Sequence, residues 1–146
     1  MPTPSIRLLF AAIYIAVDLI YVFSSRNFYD AAVARITSVS EISPTRKPMV
    51  IPVAVLTYAV MAAGWYFLVA PVAETGYIGL TLFHALLVGL LMYGVFNGTL
   101  YVLFEKWTAG VALRDLAWGL FWITTVSLAY CMFSRSVRMS PVRPRA

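Results

Sequence analysis

The chain has 146 residues, 62% hydrophobic and 12% charged, with mean hydropathy +0.84 and a formal net charge of +5. An ordinary soluble domain carries roughly 25% charge, so a water-soluble fold of this size would lack the polar residues to cover its surface; one helical bundle sharing its apolar side chains between helix contacts and lipid is the simplest reading. The basic residues flank apolar runs without an interleaved aromatic platform, which points to membrane lipids, through anionic headgroups, and argues against nucleic acid as a partner.

The first apolar segment covers residues 6–23 and rises roughly 27 Å as a helix, close to the roughly 30 Å of bilayer hydrocarbon. It is longer than the apolar region of a secretory signal and carries Asp18, so it reads as a retained anchor. Residues 24–49 then turn polar, with Arg26, Asp30, Arg35, Glu41, Arg46, Lys47, Pro44 and Pro48. Within them Phe28, Ala31, Ala32, Arg35 and Ile36 recur at helical spacing, which predicts a short interfacial helix.

A second span is expected at 50–70, free of charge, with Pro52 in its first turn and Pro71 with the turn from Glu74 to Gly76 ending it. The third, 77–104, is longer than a bilayer requires and should tilt or project. The fourth, 111–133, follows a connection with Glu105, Lys106, Trp107 and Gly110. Residues 135–146, with Arg135, Arg138, Arg143 and Arg145 around Pro141 and Pro144, read as a basic tail tethered to the membrane surface. The fold class is all-α: a transmembrane bundle of four antiparallel helices. Lysine and arginine divide five against six between the two sides, which sets no orientation.

Alternating helix direction gathers scattered polar residues. Asp18 near the end of the first span, Asn97 near the end of the third and Asp115 near the start of the fourth fall within about 6 to 11 Å of one interface. Tyr14 and Tyr21 share a face with Asp18, Tyr93, Gly94 and Tyr101 with Asn97, and Trp118, Gly119 and Trp122 with Asp115. A carboxylate in the membrane costs about 2.5 to 3.5 kcal/mol at mid-depth and calls for a partner, with Arg114 and Lys106 as the cationic candidates. Gly94 and Gly98 form a small-xxx-small spacing that permits close helix packing, and Gly119 is a third packing candidate. The cluster is either a proton or ion relay, or small-ligand pocket, with Asp18 and Asp115 titrating, or an interhelical hydrogen-bond cluster fixing register at roughly 0.6 to 2 kcal/mol per bond. The second use is the commoner.

On the opposite side, His84 and Glu74 supply too few ligands for a metal site and suggest a hydrogen-bonded structural histidine. The single cysteine, Cys131, excludes an intrachain disulfide and a cysteine-based metal cluster. No Ser-His-Asp order, phosphate loop, HExxH or CxxC appears, so neither catalysis nor a cofactor is expected.

Ala16-Val17-Asp18-Leu19, Asn27-Phe28-Tyr29, Tyr93-Gly94 leading to Asn97, Thr99 and Lys106-Trp107, and Asp115 with Ala117-Trp118-Gly119 together resemble the uncharacterised four-helix membrane proteins called domain of unknown function 2177. The resemblance spans 6 to about 133 and implies the fold and the polar cluster but no chemistry. The family pattern tends to aspartate where this chain has Asn97 and to asparagine where it has Leu100; Asn97 cannot titrate, which weakens a relay. The expected function is a non-catalytic structural or accessory subunit of a larger assembly, such as a virus-particle internal membrane or a membrane complex, with other protein subunits as partners. A small transporter or membrane enzyme, and a lipid-binding or membrane-shaping protein, are the alternatives.

Overall fold

The structure, a computed structural model, describes residues 2–37 and 50–139, and its regular elements there are all helices. Four are long and apolar enough to cross a membrane: α1 (Pro4–Ser24), α3 (Ile51–Ala73), α4 (Ile78–Leu103) and α5 (Ala109–Met139). The shorter α2 (Arg26–Thr37) follows α1 directly. At that corner the Ser25 amide bonds the Tyr21 carbonyl at 2.8 Å and the Ser25 carbonyl receives the Phe28 amide at 3.0 Å, so the chain turns with its backbone groups paired.

Two boundaries differ from the sequence reading. α3 passes through Pro71 to Ala73, because Pro71 falls in the first turn after a π-helical turn at Trp65–Val69, where a missing amide costs little. α5 runs on to Met139 rather than stopping at 133, since nothing before Pro141 breaks it and cations suit a helix C-terminus. Arg135 and Arg138 therefore stand on the helix and not in a tail. Arg143 and Arg145 lie outside the described residues, as does the Pro-containing half of the first loop.

The π-helical turns set which residues face inward. In α4 the buried stripe is Thr81, Ala85, Gly89, Tyr93 and Asn97, in steps of four. Steps of four wind about 40° each around an ideal α-helix; the wider turn at Leu90–Gly94 takes up part of that drift and keeps Tyr93 and Asn97 on the inner face. Trp65, Val69 and Ala73 of α3 repeat the pattern around the turn at Trp65–Val69.

Bonded pairs fix the helix directions. Arg7 meets Glu74 and Glu74 meets Tyr130 at one end, while Asp18 meets Tyr93 and Trp118, and Asn97 meets Asp115, toward the other. Consecutive spans thus run opposite ways. The main core joins Tyr14, Trp65, Val69, Ala85, Ile123, Val126, Tyr130 and Cys131. Within it the Trp65 Nε1 donates to Ser127 Oγ at 3.0 Å, so the large indole is buried with its polar atom paired. A second cluster, Ala32, Trp107 and Val111 with Phe28, Tyr29 and Leu100 against them, docks α2 onto the beginning of α5. The outward faces are apolar, as lipid requires, and the first half of α3, residues 51–60, exposes every side chain except the half-buried Tyr58.

Candidate functional site

Asp18 is 4% exposed, and its Oδ1 accepts from the Tyr93 hydroxyl and the Trp118 Nε1, each at 3.1 Å. The Tyr93 hydroxyl also bonds Tyr14 at 3.2 Å. Tyr93 can lie flat against α5 because position 119 is glycine: a Cβ there would sit 2.2 Å from the tyrosine ring. The Trp122 Nε1 donates to the Tyr14 carbonyl at 2.9 Å, so α1 is held to α5 by two indoles one helical turn apart.

Asp115 has a different set of donors. Its Oδ2 accepts from Asn97 Nδ2 at 2.6 Å and its Oδ1 from the Tyr29 hydroxyl of α2 at 2.8 Å. Asn97 Nδ2 also reaches the Tyr93 carbonyl at 2.9 Å, while its buried Oδ1 finds no partner among the described residues. Tyr29 bonds Tyr21 at 3.1 Å, and Tyr21 stacks on Trp118 with ring centroids 4.1 Å apart. Asp18 and Asp115 are thereby linked through Trp118, Tyr21 and Tyr29 into one polar-aromatic seam. Outside the spans, burial, followed by the Tyr21 and Asp115 contacts, pushes the Tyr29 phenol well above its ordinary range. It is a hydrogen-bond donor and stays one at physiological pH.

The expected cluster of Asp18, Asn97 and Asp115 is thus brought together, but its expected cations are not. Arg114 is exposed and lies 4.1 Å over the Phe28 ring, and Lys106 is exposed in the connection. The ion pairs among the described residues are Arg7–Glu74 and Arg26–Asp30. Arg114 points away from Asp115 because consecutive helical residues stand about 100° apart. Of the three expected packing glycines, Gly98 is exposed with open space around it, Gly94 makes only ordinary contacts with Leu90 and Leu116, and Gly119 alone is closely approached, by the Tyr93 ring. Tyr101 is 54% exposed and lies outside the seam.

At the opposite end a second polar cluster ties three spans. Arg7 forks onto the Glu74 carboxylate at 2.7 and 2.8 Å, with its Nε at 3.0 Å, and the Tyr130 hydroxyl donates to the same carboxylate at 2.5 Å. Arg138 donates to the Glu74 and Thr75 carbonyls, and Arg7 lies 4.9 Å over the Tyr66 ring. His84 takes no part: it is half-exposed, its ring rests against Phe83, and it forms no hydrogen bond among the described residues, contrary to the hydrogen-bonded role expected of it. Among those residues no group of three or more His, Cys, Asp and Glu could hold a metal ion.

Two members escaped the sequence reading. The Arg7–Glu74 pair was available from the same antiparallel logic that found Asp18 and Asp115, since the start of the first span and the end of the second share a side. Tyr29 lies outside the spans, and only the docking of α2 brings it to Asp115.

A family model described as Predicted membrane protein (DUF2177) matches residues 5–132, and the chain belongs to that family. No curated protein and no solved structure matches it.

Proposed function

We propose that this multi-pass integral membrane protein is a non-catalytic structural or accessory subunit of a larger membrane assembly, such as a virus-particle internal membrane or a membrane complex. The supporting observation is the use made of the buried carboxylates. Asp18 takes donors from α4 and α5, Asp115 takes donors from α2 and α4, and Glu74, in the turn that ends α3, takes donors from α1 and α5, so each links its own segment to two other helices. Two cavities lie elsewhere, one between α2 and α5 and one on the outer surface at Leu8, Ala11 and Phe67. Groups engaged in this way fix helix register, and the first half of α3 presents an exposed apolar face. Extraction into native-lipid nanodiscs tests the reading: a stoichiometric copurifying protein is expected, and a stable monomer free of partners overturns it.

One observation favours a second reading, a small transporter or membrane enzyme. Asp18 and Asp115 accept from neutral donors only, so neither carboxylate is committed to an ion pair among the described residues. Replacing both with Asn discriminates. Retained assembly with a lost flux or growth phenotype favours the second reading, whereas failure to accumulate favours the first.

A further inference from the structure

The end of the bundle where α1 stops and α5 begins holds a cavity of about 280 Å³ between α2 and the first turns of α5. Its floor is apolar and small, with Ala31, Ala32 and Val111, and its rim carries Arg35, Arg114 and Thr108. Both guanidinium groups are exposed, and among the described residues neither pairs with a carboxylate. Neighbouring charges are already engaged: Arg26 pairs with Asp30 at 3.2 Å, and Asp115 is held by Tyr29 and Asn97. The Arg114 guanidinium is held over the Phe28 ring at 4.1 Å, so one wall of the cavity is a fixed cation.

Two further features point to an anion. α5 begins at Ala109 beside the cavity, and the Thr108 carbonyl takes the amides of Val111 and Ala112, while those of Ala109 and Gly110 donate to no described acceptor. A helix start of that kind carries partial positive charge and free N–H groups. In addition, Trp107, which is not itself part of the lining, is 5% exposed and packs with Ala32 and Val111, and its Nε1 has no acceptor among the described residues. Helix-start amides without a described acceptor, beside two arginines without a described carboxylate, are the complement of an oxygen-rich anion.

We propose that this cavity binds a phosphate group, supplied either by a phospholipid headgroup at the membrane surface or by free phosphate. Planar guanidiniums suit phosphate oxygens through paired hydrogen bonds, and the Thr108 hydroxyl adds a further donor. The apolar floor of Phe28, Ala31 and Val111 suits the glycerol end of a lipid better than it suits a hydrated ion. This site is separate from Arg135 and Arg138, which stand at the other end of α5.

The test titrates the full-length protein, in detergent, with short-chain phosphatidylglycerol and separately with inorganic phosphate, by calorimetry. At about fivefold per arginine near a surface, the R35Q/R114Q pair should weaken binding roughly 30-fold, while R35K/R114K, which keeps the charge but not the guanidinium fork or the stacking on Phe28, should fall between it and the wild type. Phosphatidylglycerol binding that phosphate does not compete for assigns the headgroup as source; arginine-dependent binding of phosphate itself assigns the free ion. Should R35Q/R114Q fail to fold, R35Q alone, at an exposed position, should weaken binding about fivefold. The proposal is overturned if the glutamine variants bind both probes as the wild type does, or if R143Q/R145Q weakens binding as much as R35Q/R114Q.

Discussion

Adding one methyl group at Gly119 should damage the bundle more than the deletion of many larger side chains. An alanine Cβ would lie 2.2, 2.3 and 2.5 Å from three carbons of the Tyr93 ring, where ordinary contact begins near 3.4 Å, so the ring must retreat by about an ångström or more. Tyr93 cannot do this freely, because its hydroxyl is bonded to Asp18 at 3.1 Å and Tyr14 at 3.2 Å. Overpacking of this kind costs about 1 to 3 kcal/mol, and the two interhelical bonds contribute roughly 0.6 kcal/mol each and at most about 1.7. Against this, alanine gains up to about 1 kcal/mol of helix propensity over glycine. The net expectation for Gly119→Ala is a loss of about 1 to 3 kcal/mol, rising to about 5 if both bonds reach their upper value. Gly98→Ala, on an exposed helical surface with nothing within 4 Å, keeps the propensity gain alone and should be neutral or slightly stabilising. Unfolding in mixed micelles by graded addition of denaturing detergent measures both. A Gly119→Ala protein as stable as wild type, or a Gly98→Ala protein less stable than it, would refute the assignment of the close helix contact.

Three further outcomes follow from the same contacts. Glu74→Gln removes the charge that receives Arg7 and Tyr130 at the opposite end, and a loss of about 1.5 to 3 kcal/mol is expected from thermal unfolding in detergent. Tyr29→Phe removes the donor to Asp115 and should cost about 1 kcal/mol at neutral pH. Because the Tyr29 phenol is pushed upward in the folded protein, its contribution is complete below the unfolded value near 10 and declines as pH rises from there, so wild type and Tyr29→Phe should converge in stability in strong alkali. His84→Ala should change stability by less than about 0.5 kcal/mol, since the ring is half-exposed and bonds nothing described; a large loss would show that it holds a partner.

The four spans were legible because hydrophobic runs of membrane length are a strong signal that needs no tertiary information. Asp18, Asn97 and Asp115 were legible because span direction alternates, which converts sequence positions into depths. Depth does not give azimuth, and there the reading failed. Arg114 shares the depth of Asp115 but stands about 100° around the helix from it, and it meets Phe28 of a helix whose docking no periodicity reveals. Gly94 and Gly98 carry a spacing that suggests close packing, yet the π-helical turn at Leu90–Gly94 re-aims α4 so that the tight contact falls between Tyr93 and Gly119. The end of α5 at Met139 is not legible for another reason: arginines mark where a chain leaves the membrane, and a helix can leave the membrane intact.

Neutral donors from neighbouring helices hold Asp18 and Asp115, and the Asp18–Tyr93 pair is where that can be measured without ambiguity. A double-mutant cycle of Asp18→Ala, Tyr93→Phe and the combination, read as unfolding free energy in mixed micelles, isolates their bond from the separate contacts to Trp118 and Tyr14. A favourable coupling of roughly 0.6 to 1.7 kcal/mol is expected. Strictly additive losses, with no coupling, would contradict the claim that this seam holds α1 against α4.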